Sequence, residues 1–163
     1  MEDDMNGFDQ TFVDRFIIRE RIEAYIDALN HRDWVKFEDF WTEDMVWSTS
    51  DPINSYVSGR SEMVLRMKNK QETNFDYIFQ MGHAIVVHDL TEKTARARHT
   101  LHIISDKFTA IGVYYDMLVK EADGKWRFKR RDYRITYYDE SPLPGKAFRR
   151  LPDPAYGQLP QYP

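Results

Sequence analysis

Five histidines are the side chains of this 163-residue chain that can exchange protons near neutral pH. Two of them stand in apolar surroundings. His83 falls in a strand pattern beside Ile85 and Val87, and His99 in another beside Leu101 and Ile103. On that alternation each shares a face with its apolar neighbours. His83 therefore reads as a general base facing a hollow, and His99 as a second polar group there. Burial as a satisfied core histidine is the competing assignment for both. Tyr25 lies within an apolar helical stripe, where its phenol either packs or donates a hydrogen bond to a carbonyl or enolate oxygen. Trp41, Trp47 and Tyr115 are candidate pocket walls, with core packing as the alternative. His31, His88 and His102 read as surface residues. His99 and His102 are three apart on a strand, hence on opposite faces, and cannot share a metal ion. No histidine–carboxylate spacing suggests a metal site. The absence of cysteine removes disulfides, zinc fingers and thiolate catalysis. Glycine-rich phosphate loops and Ser–His–Asp nucleophile motifs are missing.

Composition narrows the setting. Hydrophobic residues are 42% and charged residues 31%, which fits one folded domain. Aromatic residues reach 15%, enough to line a core with flat walls. The net charge of −4 gives no cationic surplus for a nucleic-acid partner. No apolar run approaches the roughly 18 residues that a bilayer span needs. Met1-Glu2-Asp3-Asp4 does not open a secretory signal, so a cytoplasmic location is expected.

These residues must be positioned by helices first and strands later. Ile18, Ile22, Tyr25, Ile26 and Leu29 fall at helical spacing, with Thr11 and Asp14 spaced as a capping box. A short helix is predicted from Asp33 to about Phe40, a strand over Met45–Ser48, and another helix after Ser61. Four strands follow, over Tyr77–His88, Thr94–Ser105, Thr109–Glu121 and Trp126–Tyr138. Asp123-Gly124 suits the last hairpin. This order is α+β. Parity puts Ala95, Ala97, His99, Leu101, Ile103 and Ser105 on one concave face, with His83, Ile85 and Val87 on the next strand and Val113, Tyr115, Met117 and Val119 on a third. Val86, Tyr114 and Leu118 then fall on the outer face. Lys129-Arg130-Arg131 reads as a solvated or subunit-facing edge. The expected fold is a cone-shaped α+β barrel, with N-terminal helices packed on a curved antiparallel sheet and a pocket between them. The domain covers 1–140. Residues 141–163 hold six of the seven prolines and form a C-terminal arm or a frayed end.

Tyr25–Trp34, Thr42–Trp47, Met81-Gly82-His83, Thr94–Arg98 and Asp123–Phe128, taken in order, resemble the SnoaL-like branch of the nuclear transport factor 2-like superfamily, whose fold is cystatin-like. The likeness spans about residues 12 to 138 and is nearest to scytalone dehydratase, bile-acid 7α-dehydratase and hexachlorocyclohexane dehydrochlorinase. It implies a cofactor-free lyase (dehydratase) or an isomerase or cyclase acting on a small apolar cyclic substrate. In it, His83 would be the base, Tyr25 would assist, and the residue at Asn30 would orient His83. The family has an aspartate at the Asn30 position and a second histidine near Ser105, so both depart from the pattern. An amide can hold an imidazole but cannot neutralise an imidazolium, so either Asp106 or Asp116 supplies the charge, or the chemistry is gentler than a dehydration, or the site only binds. Trp47, His99, Tyr115, Trp41, Ile103 and Ser105 complete the expected substrate contacts. The resemblance equally allows a non-catalytic binding or assembly module, like a dioxygenase β subunit. It also implies a homo-oligomer, a dimer or a trimer.

Overall fold

The computed structural model describes residues 9–141. The expected arm at 141–163 lies outside them except for Ser141. Helix α1 spans Gln10–His31 and is started by Asp9, whose carboxylate accepts from the Thr11 amide at 3.0 Å. The cap is thus Asp9 rather than Thr11. Ile18, Ile22, Tyr25 and Leu29 form the buried stripe. Arg32 turns left-handed at φ 55°, and Asp33 caps α2 (Trp34–Asp39) through the Lys36 amide. Strand β1 (Trp41–Thr49) and the short β2 (Tyr56–Ser58) precede α3 (Arg60–Thr73). Strands β3 (Ile78–His88), β4 (Thr94–Ser105), β5 (Thr109–Lys120) and β6 (Trp126–Asp139) complete the described chain. No helix among the described residues is long and apolar enough to cross a membrane.

The three helices pack on one six-stranded curved sheet of order β2-β1-β6-β5-β4-β3. Two features differ from the expected architecture. The sheet is mixed, because β1 runs parallel to β6, and it does not close, since β2 and β3 remain edges. A parallel neighbour is reached only by a long crossover, which the chain segment from α3 to β5 supplies.

Bulges decide which side chains face the helices. At Ala84, with φ 52°, two residues of β3 oppose one of β4. Gln80 and Gly82 face inward before the bulge and Ile85 and Val87 after it, so His83 is exposed on the outer face. The expected shared face of His83, Ile85 and Val87 is therefore corrected. An extra residue at Lys129 in the β5–β6 pairing likewise turns Arg131 inward, where it is wholly buried instead of lying on a solvated edge. On β5 the inward residues are Gly112, Tyr114, Asp116 and Leu118, while Tyr115 and Met117 are exposed. That is the reverse of the expected parity for this strand. The β4 face appears as expected, from Ala95 to Ser105.

Side chains of α1 cover the free edge of β3. Arg15 and Arg19 donate to the Val87 and Ile85 carbonyls at 2.5 and 3.2 Å. Asn30 donates to the Gln80 carbonyl and accepts from the Gln80 amide, both at 2.8 Å. Gly82 permits this close approach, because a Cβ there would meet Ile26 Cδ1 at 2.3 Å.

Candidate functional site

A cleft of about 540 Å³ opens between α3 and the β1–β2 hairpin. It shares Trp47, Ile53, Met67 and Lys70 with a smaller cavity of about 40 Å³ that reaches toward the concave sheet. Met63, Met67, Lys70 and Gln71 point the same way because they repeat at helical spacing along α3. The cavity's far wall holds Gln80 from β3, Ile103 from β4, Tyr114 from β5 and Tyr133 from β6. The cleft is large enough for a small molecule, whereas the cavity holds only a few waters or one edge of a ligand.

Tyr114 joins this cavity to a buried polar cluster. Its hydroxyl accepts from Trp47 Nε1 at 2.9 Å, and its ring stacks on His99 with centroids 5.3 Å apart. Asp116, two residues along the same strand face, accepts from Arg131 Nε and Nη2 at 2.7 and 3.1 Å. The guanidinium lies over the rings of Tyr25, Tyr114 and Phe128 at 4.2, 4.2 and 4.0 Å. His99 Nε2 faces Arg131 Nη2 at 3.4 Å, and His99 Nδ1 faces Asp116 Oδ2 at 3.4 Å. The neutral tautomer with its proton on Nδ1 turns that proton toward Asp116 and the Nε2 lone pair toward Arg131, although the Nδ1 contact lacks good hydrogen-bond geometry.

Electrostatics follow from this packing. Burial lowers the His99 pKa, and the Arg131 charge adds to that against the opposing pull of Asp116, so the ring is held neutral. Burial also opposes the charge on Arg131, but Asp116, Tyr25 and Tyr114 together outweigh it and raise the pKa. Tyr114 is raised by burial, while Arg131 and the Trp47 hydrogen bond pull the other way. Tyr25 is raised well above the ordinary phenol value, by burial first and then by Tyr114. Both therefore remain phenols, able to donate a proton.

The structure brings together only some of the predicted site residues. Trp47 and Ile103 line the cavity. His99 and Tyr25 belong to the buried cluster behind it, and the Tyr25 hydroxyl is buried without a hydrogen bond of good geometry. Trp41 packs against Tyr25, Phe37 and Phe128 in the core, away from the cavity. Ser105 ties the β4–β5 turn, donating to the Phe108 carbonyl and accepting from the Phe108 amide, both at 2.9 Å. Asn30 holds the backbone of Gln80 rather than His83. His83 and Tyr115 stand on the outer face. Of the two carboxylates open to choice, Asp116 meets an imidazole, that of His99. Sequence reasoning missed Arg131, Lys70, Gln71 and Gln80. The Arg131 signal was masked by the bulge. The α3 residues were legible in the spacing of Met63, Met67, Lys70 and Gln71.

A SnoaL-like domain matches residues 10–132. No curated protein sequence matches the chain. Among solved structures, a scytalone dehydratase candidate from Novosphingobium aromaticivorans is 21% identical with a TM-score of 0.71, covering 86% of this chain and 100% of that one. Hexachlorocyclohexane dehydrochlorinase LinA-type3 from Novosphingobium barchaimii is 14% identical with a TM-score of 0.71, over 86% and 97% of the two chains. A protein with a cystatin-like fold from Nostoc punctiforme is 14% identical with a TM-score of 0.64, over 80% and 95%. These likenesses agree with the fold built above from helices, mixed sheet and bulges. With three quarters of its length matched, the chain belongs to the SnoaL-like domain family.

Proposed function

We propose that the protein is a cofactor-free lyase or isomerase that removes a proton from a small apolar cyclic compound held in the cleft beneath α3. The observation that carries this reading is the buried His99–Asp116 pair, stacked on a tyrosine that lines the cavity. Tyr114 donates to the substrate oxygen as negative charge develops on it, aided by the Trp47 N–H and the Arg131 charge. His99, neutral, is in the state that a base requires, and Asp116 stabilises the imidazolium that forms. Its Nε2 faces Arg131, so the guanidinium must give up that contact before the ring takes the substrate's C–H proton. His83 has no part in this reading, since its ring lies on the other face of the sheet. The dehydratase and dehydrochlorinase names of the structural neighbours support the same reaction class.

Proton exchange tests the chemistry without the natural substrate. Cyclic ketones such as 2-tetralone are incubated in D2O and α-deuteration is followed by mass spectrometry. The wild type is expected to accelerate exchange, and His99→Gln or Tyr114→Phe to lower it by ~10² or more, with His83→Ala unchanged. If His83→Ala abolishes exchange while His99→Gln retains it, this assignment is wrong.

One observation favours a second reading. Arg131 and its surrounding rings fill the hollow around Tyr25, as in a domain that binds or assembles without turnover. That reading predicts ligand binding with no exchange in the wild type.

A further inference from the structure

Lys70 is a half-buried cation on the inner side of α3 that borders both the cleft and the cavity. Its ammonium has neither a hydrogen bond nor an ion pair among the described residues. The other cation in the cleft, Arg66, is engaged, donating from Nη1 to the Tyr56 carbonyl at 2.8 Å. Glu62 also lines the cleft, but no ion pair joins it to Lys70 among the described residues. Burial lowers the Lys70 pKa, and the like charge of Arg66 adds to this, as expected for an ammonium that lacks a counter-charge.

Two carboxamides border the same cavity. Gln71 and Gln80 are 2% and 8% exposed, and the buried side-chain oxygen of each has no partner. A native interior rarely leaves such groups unsatisfied, so each needs an explanation. Asn30 fixes the backbone of Gln80 from both sides, and Gln71 follows Lys70 on α3 as one of its buried residues. Together these are one free positive charge and two unpaired carboxamide oxygens, each of which calls for a donor. A single planar anion with an attached hydroxyl matches that set. A phosphate dianion would require more cationic charge than Lys70 alone offers. The remaining wall is flat and apolar, with Trp47, Ile103 and Tyr114.

We propose that Lys70 anchors the carboxylate of a cyclic hydroxy acid, whose hydroxyl donates to the unpaired side-chain oxygen of Gln71 or Gln80 and whose ring lies in the cleft against Trp47 with one edge toward Tyr114. This rests on the reading of the cleft and cavity as the ligand site and adds the class of ligand. A carboxylate held at α3 orients the ring with its far side toward Tyr114.

Calorimetric titration with 2-naphthoate and with neutral 2-naphthalenemethanol tests the proposal, using wild type, Lys70→Met and Lys70→Arg. Lys70 is half-buried with an ammonium unpaired among the described residues, and circular dichroism confirms that each variant is folded. The wild type is expected to bind the carboxylate ~10- to 100-fold more tightly than the alcohol, the range for a charge-assisted hydrogen bond. Lys70→Met should abolish that preference and leave alcohol binding unchanged, and Lys70→Arg should restore most of it. If the wild type binds the alcohol as tightly as the carboxylate, or Lys70→Met keeps the preference, the anchor is overturned while the ligand site stands. Failure of the wild type to bind either probe overturns both.

Discussion

Arg131 and Asp116 are a buried ion pair with aromatic faces around the guanidinium. Removing one partner strands the other charge, so Arg131→Met is expected to cost about 3–5 kcal/mol in urea denaturation. The double variant Asp116→Leu/Arg131→Met removes both charges and should recover much of that loss. His99 responds to pH in a defined direction. Its folded pKa lies below the ordinary value, so the unfolded chain binds its proton first as pH falls. The His99 contribution is intact above the unfolded pKa near ~6.5 and is lost on acidification below it. Denaturation between pH 7.5 and 5 should show a larger stability loss for wild type than for His99→Gln. Asn30→Asp offers a third comparison at this scale. A carboxylate can still accept from the Gln80 amide but cannot donate to the Gln80 carbonyl. The variant should lose about 1–3 kcal/mol rather than gain catalytic power. Asn30 was legible as a residue at the edge of a buried helix stripe, but its partner was not. A side-chain amide can mimic either an orienting group or a strand backbone, and only the position of β3 decides between them.

At the scale of elements, bulges separate what alternation predicts from what the sheet does. The β4 pattern was readable because its outward face carries Arg96 and Arg98 while its inward face is mostly apolar. On β5 both faces are rich in apolar residues, and Asp116 made the true inward face look like a surface. Local pairing could not reveal that Arg131 neutralises that carboxylate from the neighbouring strand. A second β5–β6 bulge lies at Gly112, where a Cβ would meet the Arg134 carbonyl oxygen at 2.3 Å and the Tyr133 ring at 2.8 Å. Backbone cannot yield there as a flexible side chain can. Gly112→Ala should therefore destabilise the domain by ~1–3 kcal/mol through overpacking, measured by urea unfolding. The helix ends are tied by Asp39, which accepts from Arg21 and Arg127 and pairs with Lys125. Against the opposing effect of burial, these cations hold its pKa at about 2. That contribution is present above the ordinary carboxylate range and is lost as pH falls toward 2, so Asp39→Asn should flatten the acid limb of the stability curve.

For the whole molecule, the order of helices and strands was sufficient to read the α+β class, and the ordered segments from Tyr25–Trp34 to Asp123–Phe128 the family. The open, mixed sheet was not readable, because the parallel pairing of β1 with β6 depends on contacts distant in sequence. The outer face of the sheet carries exposed Phe79, Met81, Val86, Tyr115 and Met117. A patch of this kind fits self-association. Sedimentation velocity should show an oligomer that Val86→Lys/Met117→Lys shifts toward monomer; an unchanged sedimentation coefficient would place the contact elsewhere. The α1 side chains on β3 bear on how such copies can meet. Arg15, Arg19 and Asn30 occupy main-chain groups that a seventh strand would need. At that border the protein has already supplied its own imitation of a neighbouring strand, so a second copy cannot extend the sheet past β3.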